Sequence, residues 1–270
     1  MVTDTRYGAG DSGPGDETPG PSSFPADSDS TSLGEPPASA GVVFGERLAL
    51  AGRYAQLLAT EGVVRGLIGP RETPRLWERH LVNCGVMAEM IPTGATVVDV
   101  GSGAGLPGLV LAVARPDLAI TLVEPLARRT SFLDEAVVVL GLDNVTVVRG
   151  RAEEVVGQLP GADVVTARAV AALDKLAGWC LPLAAVGGRL LAMKGSTAVD
   201  EIVEHAATVQ GLGGGPAVIH LCGEGLIDPP TTIVEIAKER HVVPGRRSVA
   251  SASGSSASGR RGGRGRSRRG

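Results

Sequence analysis

The chain has 270 residues and a formal net charge of -3. That charge excludes a globally basic nucleic-acid binder, so any RNA contact has to come from local arginine clusters. Its three cysteines lack Cys-x-x-Cys spacing and its four histidines are scattered, which argues against a disulfide framework or a zinc site, and no metal is expected.

The first forty residues hold seven acids, one arginine and almost no large apolar side chains. Such a stretch cannot bury enough surface to offset its ordering entropy, so 1–40 is expected to be a disordered acidic tail. Residues 41–92 read as a helical segment, interrupted at Gly69-Pro70 and Pro74 and ended by Ile91-Pro92. From 93 to 244 a regular alternation predicts strands at Thr96–Val100, Ile120–Glu124, Val145–Arg149, Asp163–Ala167 and Arg189–Met193. Helices are predicted between them at 106–114, 126–141, 151–157 and 171–185, with a further one at 198–211. Two last strand-like runs, Val218–Cys222 and Thr232–Lys238, are separated by a loop too short for a crossover helix and should pair antiparallel. From Arg246 eight arginines appear without an acid, so 245–270 is expected to be a disordered Arg/Gly/Ser-rich tail. No apolar run approaches the ~18 residues of a membrane span. The N-terminus also lacks a leader's basic-then-apolar pattern. A cytoplasmic protein with no membrane association is expected.

Alternating strands and helices imply a parallel sheet covered on both faces. Five such units followed by an antiparallel hairpin match the α/β, Rossmann-like class I methyltransferases, with 41–92 as a short helical lead-in. The first predicted strand ends in Val98-Asp99-Val100 and runs into Gly101-Ser-Gly103-Ala-Gly105-Leu106-Pro-Gly108. Glycines at a strand-to-helix turn allow left-handed backbone and close approach of a ligand. Glu124, ending the second strand, can accept both ribose hydroxyls of a nucleoside. These features alone fit NAD as well as S-adenosylmethionine. The Gly-x-Gly-x-Gly spacing, an acid at Asp99 and the terminal hairpin favour the methyl donor. Asp99 can receive the methionine ammonium or brace the loop, and Glu124 can alternatively be a solvated strand-end acid.

The run Asp99-Val-Gly-Ser-Gly-Ala-Gly-Leu-Pro-Gly108 resembles the signature of the bacterial 16S ribosomal RNA guanine-N7 methyltransferases, also called glucose-inhibited division protein B. Collinear matches are Arg79-His80-Leu81, Leu122-Val-Glu124 with Arg128-Arg129 after it, Arg151-Ala152-Glu153-Glu154, Arg168-Ala169 and Met193-Lys194-Gly195. They span about residues 46–240. The chain departs before Arg79, reading Leu67-Ile-Gly-Pro-Arg71 where the family usually carries Asn-Leu-Thr. The resemblance implies an S-adenosylmethionine-binding domain over 93–244 and methyl transfer to one guanine N7, position 527 in the 530 loop of 16S ribosomal RNA. It implies that Gly101, Leu106, Ala152, Glu153 and Arg168 line the cofactor site, with Glu153 near the adenine and Arg168 near the methionine end or the substrate. Naked 16S RNA or the 30S subunit or its precursor would be the partner, met by a monomer.

Guanine N7 has a lone pair and no proton, so its methylation needs no general base. The Asn/Asp-Pro-Pro-aromatic motif of amino-group methylation is not in place: Ala167-Arg168-Ala169-Val170 follows the fourth strand, and Asp228-Pro-Pro-Thr231 reads as a turn. Cys84 and Cys180 lie in apolar helices and read as buried thiols. No residue is a certain catalyst; Arg168 and Lys194, both at the ligand end of strands, are the positioning candidates. RNA-binding candidates are Arg75, Arg79, His80, Arg128, Arg129 and Lys194, within a wider set of arginines at 65, 71, 149 and 151. His80 can equally be an interior hydrogen-bonded imidazole, and Trp77 and Trp179 read as helix packing. A small-molecule or protein methyltransferase, and a noncatalytic binder, are the competing functions.

Overall fold

The computed structural model describes residues 32–168 and 171–242. Most of the expected acidic tail, all of the arginine-rich one, and Ala169 and Val170 lie outside the described residues. A seven-stranded sheet runs in the order β3-β2-β1-β4-β5-β7-β6. Strands β1 (Thr96–Val100), β2 (Ala119–Glu124), β3 (Val145–Arg149), β4 (Ala162–Arg168) and β5 (Ala184–Met193) are parallel. β7 (Thr231–Lys238) runs antiparallel to both β5 and β6 (Gly214–Cys222), as the terminal hairpin predicts. The chain reverses its direction of travel across the sheet between β1 and β4. Ligands of open α/β sheets bind at such a switch point, beyond the carboxyl ends of the strands.

The local sequence explains the layers. In β1 every residue after Thr96 is buried, as a central strand covered on both faces requires. Helices α4 (Gly108–Ala114), α5 (Ala127–Leu140) and α6 (Ala152–Val155) follow the first three strands, with α7 (Leu173–Cys180) and α8 (Ala198–Gly211) beyond β4 and β5. α4 carries no polar side chain and is buried almost throughout, so it must be enclosed by protein on all sides. The sheet covers one side of it. The other is covered by α1 (Ala38–Phe44), α2 (Leu48–Leu57) and the helical run Leu76–Met90, in which α3 (Asn83–Gly85) lies between a π-helical turn (Leu76–Val82) and a 3-10 turn (Val86–Met90).

The N-terminal helices therefore share one core with the sheet: Phe44, Tyr54, Leu81 and Met87 pack in the same cluster as Leu109 and Leu122. The expected tail boundary at residue 40 falls inside α1. Ala40 and Phe44, one helical turn apart, are both buried there, and Trp77 Nε1 donates to the carbonyl of Gly34 at 2.9 Å. A second core, built on α7, α8 and the opposite sheet face, contains Val165, Leu176, Cys180 and Ile236. Predicted strands hold throughout, but β6 begins at Gly214 rather than Val218, and β5 at Ala184 rather than Arg189. Gly188 permits this, because a Cβ there would stand 2.6 Å from the Ala162 carbonyl oxygen. The helix predicted over 171–185 stops at Cys180 and gives way to a 3-10 turn containing Pro182. Among the described residues no helix is long and apolar enough to cross a membrane, and no group of His, Cys, Asp and Glu could hold a metal ion.

Candidate active site

The glycine loop joins β1 to α4 at the carboxyl edge of the sheet. Gly101, Gly103 and Gly105 all take left-handed backbone, with φ of 72°, 57° and 92°. Their surroundings differ. A Cβ on Gly101 would meet nothing within 4 Å, and one on Gly103 only the loop's own backbone and the tip of Arg129. A Cβ on Gly105 would strike Leu109 at 2.4 Å, and one on Gly108 would strike Leu122 at 2.3 Å and Asp99 at 2.7 Å. The loop thus has an open front at Gly101 and Gly103 and a packed back at Gly105 and Gly108.

Asp99 belongs to the back. Its side chain is fully buried; Oδ2 accepts from the Gly108 N–H at 3.1 Å and Oδ1 from the Thr166 hydroxyl at 3.0 Å. Burial pushes its carboxyl up to about 6, against the opposing pull of its hydrogen bonds. Of its two roles open on sequence grounds, the geometry displays the brace. Tyr54 of α2 braces the same loop from outside the sheet. Its buried hydroxyl donates to the Ala104 carbonyl at 2.7 Å, fifty positions away in sequence.

Glu124 belongs to the front. It is 1% exposed, yet stands at the rim of the open glycines. Oε2 accepts from the Gly103 N–H at 3.0 Å and Oε1 from the Leu126 N–H at 3.1 Å. Each oxygen keeps a second lone-pair direction, the capacity needed for a pair of ribose hydroxyls. Arg129 NH1 lies 3.6 Å from Oε2, and its Nε is buried without a hydrogen-bond partner. Arg129 therefore leans toward Glu124, while its neighbour Arg128 is exposed. Ala152 is buried and Glu153 exposed at the start of α6, beside the end of β3. Leu106 is buried in the loop itself.

Arg168 ends β4 on the same edge. Its NH1 contacts Nδ1 of His80 at 3.0 Å and Sγ of Cys84 at 3.6 Å. His80 is thus an interior imidazole with both ring nitrogens engaged by protein, the second of the two readings its sequence context left open. Cys84 is fully buried, and burial raises its thiol to about 11, which leaves no thiolate for nucleophilic work. Lys194 is also held inside: Nζ donates to the Ala171 carbonyl at 2.9 Å and pairs with Glu201 Oε2 at 2.7 Å. It ties the end of β5 to α8 and to the segment after β4, a bracing role. Among the arginines, Arg65 is committed to Glu61 and Glu135, whereas Arg71, Arg75, Arg128, Arg149 and Arg151 are exposed. Arg79 is exposed and paired with Glu72 at 3.2 Å. Tyr54, Thr166 and Glu72 have no counterpart among the sequence-derived site residues.

A methyl donor fits this edge. The open glycines admit a ligand against the backbone, the buried Glu124 offers acceptors to a ribose, and Arg168 supplies positive charge beyond β4. The antiparallel β7, inserted between β5 and β6, separates the fold from the all-parallel dinucleotide-binding sheets. The class so defined is the S-adenosylmethionine-dependent methyltransferases with a Rossmann-like fold.

Comparison with known proteins narrows the class. The family described as rRNA small subunit methyltransferase G (GidB) matches residues 47–228, and the chain belongs to that family. Ribosomal RNA small subunit methyltransferase G of Salinispora tropica is 65% identical over 214 residues, covering 77% of this chain and 88% of the relative. Its counterpart from Streptomyces avermitilis is 58% identical over 200 residues, covering 74% and 84%. Among solved structures, the mitomycin 7-O-methyltransferase MmcR aligns with a TM-score of 0.50 at 22% identity, over 68% of this chain and 60% of that one, a likeness of fold alone.

Proposed function

We propose that this chain transfers the methyl group of S-adenosylmethionine to N7 of a guanine in the 530 loop of 16S ribosomal RNA. We further propose that it acts in the cytoplasm, as a monomer, on the RNA or on the 30S subunit or its precursor, with 93–244 as the cofactor-binding domain. The observation that carries the reading is the glycine loop, open at Gly101 and Gly103 and closed behind, in a chain of this family.

Bound there, S-adenosylmethionine supplies an electrophilic sulfonium methyl. Gly101, Gly103, Leu106, Glu124, Ala152 and Glu153 would hold its nucleoside part, and Arg168 its methionine end or the incoming base. Guanine N7 presents its lone pair without a proton to remove. The protein's task is then to place two partners in line, which can supply roughly 7–11 kcal/mol of the barrier. The inventory of the site agrees with this demand. His80 and Lys194 have their polar atoms engaged by protein, and Cys84 is a buried thiol. None is poised to take a proton or attack a base. Exposed Arg71 and Arg75 ahead of β1, Arg79 beside them in its exposed pair with Glu72, and Arg128, Arg149 and Arg151 beside α5 and α6 are the groups available to phosphates.

The test is transfer of a labelled methyl group, with naked 16S RNA, intact 30S subunits and a small-molecule extract offered separately. Label is expected in 16S RNA, at a guanine whose backbone becomes cleavable by chemistry specific for N7-methylguanine. Label confined to small molecules, or to RNA at a position resistant to that cleavage, overturns the reading.

A further inference from the structure

The Arg168 guanidinium is gripped from behind by a chain of polar groups that reaches from the cofactor edge to the surface. NH1 of Arg168 lies 3.0 Å from Nδ1 of His80, Nε2 of His80 lies 3.0 Å from Oε2 of Glu72, and Oε1 of Glu72 pairs with Arg79. The sequence brings these groups together through an irregular segment. A 3-10 turn (Pro70–Arg75) carries Glu72 and the following π-helical turn carries His80, so the two side chains meet across a separation of eight residues. His80 itself is buried and Glu72 only partly so. A π-helical turn is rare and recurs at functional sites.

Protons in this chain can be assigned by valence. A guanidinium has only donors and does not lose its proton. Arg168 must therefore donate, so Nδ1 of His80 accepts and carries no hydrogen. The remaining ring hydrogen sits on Nε2 and points at the Glu72 carboxylate. A carboxylate fixing the tautomer of an imidazole, which then directs its other nitrogen, is a recurrent way to orient a working group.

We propose that His80 and Glu72 are positioning residues for Arg168: Glu72 holds His80 as the Nε2–H tautomer, and the Nδ1 lone pair holds the Arg168 guanidinium toward the methyl donor. The proposal rests on the reading that Arg168 meets the cofactor or the base beside it. It carries a built-in pH dependence. Protonation of His80 puts a hydrogen on Nδ1, destroys the acceptor and sets an imidazolium against a guanidinium. Burial and the facing Arg168 both oppose that protonation and hold His80 below its ordinary range, while Glu72 works in the other direction. The other charged or titratable groups around the chain are Arg75 and Arg79 beside Glu72, and Cys84, Tyr54 and Asp99 around Arg168.

The test is the affinity of the full chain for S-adenosylmethionine, measured by calorimetry from pH 8 to pH 5, with near-ultraviolet circular dichroism recorded at each pH to register folding. In the wild type, affinity should fall as His80 protonates, by at most about tenfold per pH unit, while the fold persists. His80→Asn places an amide oxygen near the Nδ1 position but cannot titrate. It should bind several-fold more weakly at pH 8, in line with one altered hydrogen bond, and lose the acid limb. Glu72→Gln keeps an acceptor for Nε2–H and removes the charge that favours protonation, so its limb should move to lower pH. A limb that stays in place in both variants would belong to Asp99 and overturns the proposal, as does a His80→Asn variant that binds as tightly as wild type at pH 8. Wild type that fails to bind at pH 8 overturns the methyltransferase reading itself, an outcome distinct from equal binding by wild type and His80→Asn. If His80→Asn does not fold, the direction of the Glu72→Gln shift still decides.

Discussion

The front and the back of the glycine loop use the same residue for opposite reasons. At Gly101 the missing side chain leaves open space, and the left-handed backbone is the constraint on the protein's side. At Gly108 the backbone is ordinary helix, and the constraint is volume, with Leu122 and Asp99 already occupying the place of a Cβ. Gly105 combines both constraints. The back is therefore closed by packing, and the front is left open for the ligand proposed above. Substitutions should divide accordingly, the first showing in binding and the second in stability.

The largest effect is expected at the back. Gly108→Ala drives a methyl into Leu122 and into the carboxylate that caps the same residue's N–H. Overpacking of this kind costs typically ~1–3 kcal/mol, and distortion of the buried Asp99 hydrogen bond should bring the total to about 3 kcal/mol. The urea midpoint at neutral pH measures it. A midpoint within experimental error of wild type would show that the back is not packed as described.

At the front, Gly101→Asp should act on the ligand. No atom lies where its Cβ would go, and aspartate tolerates left-handed backbone better than most residues. Unfolding should shift by about 1 kcal/mol or less. Affinity for S-adenosylmethionine should fall by about a hundredfold or more, since a charged side chain then fills the space in front of the loop beside Glu124. Calorimetric titration alongside the same urea curve separates the two quantities. Wild-type affinity in this variant would remove Gly101 from the cofactor site.

The front of the loop was legible in the sequence and much of the back was not. The strand-glycine-helix order and an acid at the end of the second strand are local patterns, and β1, Gly101 and Glu124 stand where those patterns put them. The braces are contacts between distant positions. Tyr54 reaches Ala104 across fifty residues, and Thr166 reaches Asp99 across 67. Periodicity reports which face of an element is buried, not which hydroxyl meets which carbonyl. His80 was ambiguous for the same reason, since its partners Glu72 and Arg168 lie in different layers of the fold. Lys194 did carry a usable signal. The acid that neutralises it, Glu201, lies in the first turn of the next helix, where the topology returns the chain to the end of β5.

The smallest effect follows from the charge at the back. Asp99 titrates near 6 in the folded chain against an ordinary 3.8, because burial disfavours its charged form. A carboxyl whose folded value is raised stabilises the fold fully below its unfolded value, and that contribution fades as pH climbs through the folded one. Between pH 4 and pH 7, then, wild type should lose what this group contributes, while Asp99→Asn cannot. The amide can also satisfy both neighbours, its oxygen accepting from the Gly108 N–H and its NH2 donating to the Thr166 hydroxyl. Every other titrating group, His80 included, is common to the two proteins, so the difference between their urea midpoints isolates Asp99. That difference should move in favour of the asparagine variant by about 1 kcal/mol across the interval, a discounted share of the ~3 kcal/mol that two pH units would convert to. A difference independent of pH would mean that the back of the loop holds its carboxylate charged without the cost that its burial implies.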